Sequence, residues 1–304
     1  LRSLPPGSYQ GEDWLDDDGA GDEAPIAVRV RIEIGDGEAT FDFSDSDDAA
    51  RGPLNATPFT AAASVFYAVK AIAGPDIQPN AGCARPLTII TRPGSLLNPP
   101  LERPVVGGNH ETSQRIVDAI FRAMEPVIAR RLTAGCSTTS GLLLFSGRDP
   151  RNGRWTTLYE VHGGGEGARV DRDGMPAVRP HMSNVMNTPA EMIEANYPIL
   201  IERQALRRGS GGAGHHCGGD GQVRVYRVLA PEMELTTMIE RCRIPPFGLC
   251  GGAPGATFRI TLERACGETL QLAGKTSVRL AQGDRVIMES SGGGGYGPVT
   301  AKQI

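Results

Sequence analysis

The feature that most constrains this chain is a glycine-dense stretch from Val161 to Asp220, which reads VHGGGEGAR, then RDG, HMSNVMNTPAEMIEANYP and RGSGGAGHHCGGDG. Glycine is needed where the backbone takes a positive φ or where another group approaches it closely. One loop holds Gly163, Gly164, Gly165 and Gly167; a second runs from Gly209 to Gly221 and includes Gly211 and Gly212. Between them Asn187-Thr188-Pro189 reads as a helix start, with Thr188 as N-cap and Pro189 at the first helical position, where its missing N–H is harmless. Glu191, three residues after Thr188, completes a capping box. Glu194, one turn on, has no such structural account.

The remaining residues describe an ordinary globular body around that stretch. A chain of 304 residues suits one large or two ordinary domains. Its 40 glycines and 23 prolines stay below the range of disordered chains and are clustered, which points to tight turns and buried loops. A net charge of −4 gives no electrostatic ground for nucleic-acid binding. No apolar run approaches the roughly 18 residues of a membrane span, and the opening residues do not read as a signal peptide. The six cysteines are scattered without a CxxC pair. Reduced thiols and a cytoplasmic location are the expectation.

Along the chain, GSYQGEDWLDDDG crowds Asp13, Asp16, Asp17 and Asp18 without EF-hand spacing, and reads as a solvated acidic turn. Residues 27–34 and 38–44 form a hairpin around Gly35-Asp36-Gly37. Residues 57–74 are a helix capped by Thr57, started by Pro58 and ended by Gly74-Pro75. LTIITRPG reads as a buried strand. Residues 110–130 form a second helix that Pro126 kinks or divides. TSGLLLFSG and WTTLYEVHG are strands that deliver His162 to the first glycine loop. From Ile199 the chain becomes short strands between Gly/Pro turns, as in a β-sandwich or barrel-like unit, and the closing GGGGYGPV returns to the glycine loops. The fold class is therefore α+β: strand-rich mixed sheets, a few packed helices and a mostly β C-terminal part. The division falls between residues 1–198, the α+β glycine-loop region, and 199–304, the β-rich region.

Candidate chemistry is sparse outside the loops. Gly107-Gly108-Asn109 precedes Glu111, Thr112, Ser113 and Gln114 at a helix N-terminus. Such a group can hold an anion, an oxyanion or a metal-bound ligand, or can simply cap the helix and fill a polar interface. No Walker A motif is present, since Gly274-Lys275-Thr276 lacks the upstream glycine, and no acidic partner follows the first glycine loop at Rossmann spacing. The histidines at 110, 162, 181, 215 and 216 lack HExxH or zinc-ribbon spacing, so no metal ligand is assigned. His215, His216 and Cys217 are neighbours that would point to alternate faces of a strand.

GGGEGARVDRDG, HMSNVMNTPAEMIEANYP and SGGAGHHCGGDGQVRVYR resemble the C-terminal half of the hydantoinase B/oxoprolinase family. GSYQGEDWLDDDG, FDFSDSDDAARGPLNAT, PNAGCARPL, LLNP, GGNHETSQRIVDAI and GGGGYG extend the likeness in the same order over nearly the whole chain. Departures are Glu166, where an aromatic residue is common, and the His-His-Cys run. Family members carry a long further segment ahead of this point, so the resemblance implies one piece of a larger B-type protein or a split subunit. It implies an ATP-dependent enzyme complex that opens small cyclic amides such as hydantoins or 5-oxoproline. An A-type partner subunit would handle ATP and phosphorylate the amide oxygen. The B-type component would promote attack by water, with a divalent metal and preorganised donors at the tetrahedral intermediate. That metal would be held mainly by the N-terminal B-type segment or a partner. The same superfamily includes subunits of ketone carboxylases of the acetone and acetophenone type, and a non-catalytic scaffold half is a third reading. In these terms Gly163, Gly164, Gly165, Gly211 and Gly212 offer backbone N–H groups to the bound species. Asn184, Asn187 and Glu194 line the site or an interface, with Glu111 a further catalytic candidate. His181 and Asn184 form an outer shell to a metal or are satisfied loop residues. Glu194 either orients water or a substrate nitrogen, or is a helix charge favoured by the dipole.

Overall fold

The computed structural model describes residues 1–299 and divides after Leu132 into two compact units. In the first unit, β1 (Gly7–Leu15), β2 (Ile26–Gly35), β3 (Glu38–Asp42) and β4 (Leu87–Ile90) form one sheet in that order. The first three are antiparallel and β4 runs parallel to β3. Asp36 (φ 47°) and Gly37 (φ 82°) make the two-residue turn between β2 and β3. Two successive positive φ values match the right-handed twist of the flanking strands, which is why Asp-Gly stands there. Val28, Val30, Ile32 and Ile34 alternate into the core, while Arg31 and Glu33 face out.

Helices α1 (Pro58–Ala73) and α2 (Ser113–Ile128) belong to the same unit, with α2 packed on β1 and β2. The Thr57 hydroxyl accepts the Thr60 N–H (3.3 Å), and Gly74 ends α1 as its C-cap. Thr57→Ala is expected to lower stability by about 1 kcal/mol, read from the shift in urea midpoint at unchanged m-value.

Three local readings change. The first nine residues of the acidic segment are β1, and Asp13, Asp16 and Asp18 are buried rather than solvated. The reason is supplied from elsewhere in the unit. Arg115 of α2 donates to Asp13 (3.1 Å) and Asp118 (2.9 Å), while Asp18 accepts the N–H groups of Ala20 and Asp22. Pro126 neither divides nor ends α2, which continues to Ile128; so near the end, its missing donor removes one helical bond. Strand β4 is a half-exposed sheet edge, not a buried strand.

The second unit contains β5 (Leu142–Arg148), β6 (Trp155–Glu160), α3 (Ala190–Asn196), β7 (Ile199–Arg207), β8 (Gly221–Val228) and β9 (Glu232–Met238). It continues with β10 (Arg259–Glu263), β11 (Thr269–Gln271), β12 (Lys275–Ala281) and β13 (Arg285–Glu289). Two antiparallel sheets, β11-β10-β13-β8-β7 and β12-β9-β5-β6, share one core. Leu143, Phe145 and Leu235 enter it from one sheet, and Tyr226, Ile260 and Met288 from the other. This is a β-sandwich. Because β5 and β6 lie in one sheet with β9 and β12, the division placed after residue 198 falls inside this unit. The architecture is α+β, as its strand-rich pattern implies. No helix among the described residues is long and apolar enough to cross a membrane.

Candidate functional site

The glycine-rich segments at 163–167, 211–219 and 292–295 lie against one another in the second unit and are joined by backbone hydrogen bonds outside the named strands. Gly164 N–H donates to Val178 O (2.9 Å), Gly165 N–H to Ser291 O (2.9 Å) and Gly212 N–H to Gly293 O (2.8 Å). Gly293 N–H in turn donates to Gly219 O (2.9 Å), and Gly219 N–H to Glu166 O (2.8 Å). Of the two reasons for glycine, positive φ is not the one that applies to Gly163, Gly164, Gly165, Gly211 and Gly212, which lie outside that region. Close approach explains them instead. A Cβ on Gly165 would lie within 3.0 Å of Gly219 O and Gly293 N, and one on Gly293 within 3.0 Å of Glu166 O. Backbone packs on backbone here, with the polar groups satisfied sideways.

This changes what the loops do chemically. The N–H groups of Gly164, Gly165 and Gly212 already have carbonyl acceptors, and Gly211 N–H donates to Asp220 Oδ1 (3.1 Å). Gly163 O accepts Gln222 Nε2 (3.0 Å). These groups are committed to holding the segments together, not aimed at a ligand. The closing GGGGYG takes part, as its composition implies.

Beneath the loops is a buried polar network that the sequence reading missed. On β8 the residues Gln222, Arg224 and Tyr226 share one face, and Val223 and Val225 the other. Arg224 Nη1 meets Glu160 Oε2 at 3.1 Å, with side chains 0% and 2% exposed, and Arg224 Nη2 donates to Thr188 O (2.8 Å). Burial pushes the Glu160 carboxyl up, opposed by Arg224 and by hydrogen bonds from the Thr188 side chain and backbone. Thr188 is thus engaged by the buried pair and does not cap α3. The helix begins at Ala190, with Pro189 at the N-cap position and no side-chain cap bond, so the capping box with Glu191 does not form.

His162 is placed as the strand-to-loop reading requires, but it faces inward. Its Nδ1 lies 2.7 Å from Gly141 O, which only accepts, so Nδ1 carries the proton and Nε2 accepts from the Tyr226 hydroxyl. Burial lowers the imidazole pKa to about 3; the Gly141 bond opposes this, and the charges of Arg224 and Arg179 reinforce it. A neutral, fully buried histidine is an anchor between β8 and the first glycine loop.

Residues 181–188 form a strap joined to this network. Asn187 Nδ2 donates to Gln222 Oε1 (3.1 Å), and Gln222 passes the connection to Gly163. His181 is half-buried with φ 60°, and Asn184 is exposed. Glu194 lies apart from them in bonding: its Oε1 accepts the N–H of Ile201 (3.0 Å) at the start of β7. Glu194→Gln retains an acceptor and is expected to leave thermal melting and turnover unchanged, whereas Glu194→Ala should lose about 1 kcal/mol in a urea melt.

Glu111 belongs to the other unit, fully buried in a π-helical turn (Gly108–Thr112) ahead of α2. Around it Thr112 donates to Leu54 O, Ser113 to Asn109 O (2.8 Å) and Gln114 to His110 O (2.6 Å). These polar side chains satisfy carbonyls of the chain itself. The rings of His215 and His216 meet edge to face at 4.8 Å rather than pointing apart, because this segment is not a strand. His216 Nδ1 lies 3.3 Å from Asp173. Among the described residues no group of three or more His, Cys, Asp or Glu is placed to hold a metal ion.

The family model for hydantoinase B/oxoprolinase matches residues 1–299. The chain belongs to this family. It is 39% identical over 279 residues to an uncharacterized protein of Methanocaldococcus jannaschii, covering 92% of this chain and 48% of that one. It is 35% identical over 293 residues to 5-oxoprolinase 1 of Arabidopsis thaliana, covering 95% of this chain and 22% of the plant protein. Its fold matches the crystal structure of the ATP-dependent caprolactamase from Pseudomonas jessenii with a TM-score of 0.87 at 27% identity, over 98% of this chain and 52% of that one. The hydantoinase B-type chain thus spans about half the length, or less, of these relatives.

The buried pair of this family member was foreshadowed in QVRVYR. Strict alternation there sets three polar residues against two valines, and the polar set is the one that supplies the inner network.

Proposed function

We propose that this hydantoinase B-type chain is part of an ATP-dependent complex that hydrolyses small cyclic amides in the cytoplasm, and that it acts on the amide after a partner has phosphorylated it. The observation carrying this reading is the match over nearly the whole chain to a caprolactamase, together with 35% identity to a 5-oxoprolinase; both names denote enzymes of cyclic amides. In this reading the nucleotide is handled by an A-type partner; the N–H groups of Gly164, Gly165, Gly211 and Gly212 are bonded within the chain and do not form a phosphate cradle. The described residues do not fit a complete metal site, and no step is assigned to a metal.

Within this reading the strap supplies the polar surface. Asn184 and Asn187 each present an amide donor and an acceptor, the complement of a ring amide. Asn187 is held by Gln222 to Gly163, so its orientation is set before substrate arrives. Its role is to donate to the ring nitrogen, which takes up the C=N electron pair when water adds to the O-phosphorylated carbon. Asn187→Ala is expected to lower kcat in the assembled complex by about 10²–10³-fold. The test is co-purification with the A-type subunit, followed by ATP turnover with a hydantoin, 5-oxoproline, caprolactam and a small ketone plus bicarbonate. ADP and ring-opened acid in equal amounts, requiring both proteins, is the expected result. Ketone carboxylation, or ring opening by the A-type subunit alone, would contradict it.

A further inference from the structure

The first unit carries an apolar groove of about 700 Å³, walled by Phe66, Val69 and Ala73 of α1 and by Ile77, Pro86 and Leu87. Lys70, in the same wall, donates to Pro75 O (2.5 Å) and is turned to its own loop. Large apolar side chains also stand in water nearby in sequence: Phe59 is 85% exposed and Ile77 57%. Val105 and Val106 of the same unit are exposed too. An open apolar groove of this kind, with Ile77 in its wall largely exposed, marks a site of association.

The lengths of the relatives offer an occupant for it. The Methanocaldococcus jannaschii protein and the caprolactamase chain each contain about as much polypeptide again as the part matched here, joined to it covalently. We propose that the α1 groove is the seat of that remaining half of the B-type fold, whether it is supplied by the same polypeptide or by a separate one. Phe66 and Ile77 are its central contacts, and association is driven by burial of apolar area. The inference rests on the reading of this chain as one part of a larger B-type component. It requires no particular substrate.

The experiment uses the 304-residue chain and, as a separate polypeptide, the half of the Methanocaldococcus jannaschii relative that lies outside the match. Analytical ultracentrifugation is expected to show a one-to-one complex. Cys83 lines the groove and is partly exposed, so its labelling by a maleimide, read by peptide mass spectrometry, should slow by about tenfold or more in the complex. Cys266, exposed in the other unit, should label at an unchanged rate. Phe66→Glu and Ile77→Glu should each weaken the complex by about tenfold or more while melting as the parent does, and Trp155→Glu on β6 should not weaken it. Absence of a complex would overturn the proposal, as would a complex that leaves Cys83 fully reactive or ignores both groove substitutions. Protection of Cys83 in a dimer of the chain alone would assign the groove to a second copy and overturn it equally. No arm needs ATP or turnover, so a failed ring-opening assay and a failed docking test are distinguishable.

Discussion

Gly293→Ala is expected to destabilise the chain by about 3 kcal/mol or more, while Gly209→Ala costs about 1 kcal/mol. The two glycines are needed for different reasons. Gly209 has φ 75° and open space around its missing Cβ, so the penalty there is conformational. A Cβ on Gly293 would lie within 3.0 Å of Glu166 O and Gly167 N, atoms of a segment held by its own backbone bonds. Neither side can give without breaking bonds at Gly219 and Gly212. Urea unfolding of the two variants, with soluble yield alongside, measures the contrast. Equal and small effects would mean that the glycine segments are loosely packed.

Acidification should unfold the second unit through His162. Its imidazole is held near pKa 3 when folded, against an ordinary value of 6.5. Between those values the unfolded chain takes up a proton that the folded one refuses. The stability this neutral histidine contributes is therefore complete above the unfolded pKa and is lost as pH falls toward the folded one, at about 1.4 kcal/mol per pH unit. Across the window that amounts to roughly 4–5 kcal/mol, an upper figure for one proton. Glu160, pushed up by burial, acts with the opposite sign: its contribution is present at low pH and lost as pH rises. The comparison that isolates His162 is with His162→Gln, which can still accept from Tyr226 and donate to Gly141 O. Unfolding free energies between about pH 4 and 7 should fall more steeply in the parent than in the variant, by about one proton's slope. Parallel curves would show that the histidine is not held neutral.

Much of the architecture was legible because it is local. The β2–β3 hairpin follows from Asp36-Gly37, and α1 from Thr57 and Pro58, since turn and cap chemistry acts within a few residues. The strands after Ile199 are readable from alternation and turn residues, and they form the sandwich. What failed depended on partners distant in the chain. Asp13 looks like part of a solvated acidic run until Arg115 is placed beside it. Thr188 looks like an N-cap until Glu160 and Arg224 engage it. The break after Leu132 is invisible locally because what binds residues 142–160 to the later strands is sheet pairing across some ninety residues of chain. For the candidate site, the location of the glycine clusters was legible and their chemistry was not. Glycine density is the same whether a loop presents N–H groups to a ligand or packs them against another backbone. Of the proposed residues, Asn187 is tied to the glycine segments and Glu194 to β7, while Glu111 lies in the other unit.

Amide hydrogen exchange, resolved by residue, tests most directly whether the glycine segments are a closed packing element that leaves the 181–188 strap as the chemical surface. The N–H groups of Gly165, Gly212 and Gly293 should exchange slowly in the chain alone, close to the rate of global unfolding, and should not change on addition of inorganic phosphate or a cyclic amide. Asn184, Val185 and Met186, exposed on the strap, should exchange fast. Rapid exchange at Gly165, Gly212 and Gly293 that becomes slow only with phosphate or amide present would contradict the account, because it would return those glycines to the role of ligand donors.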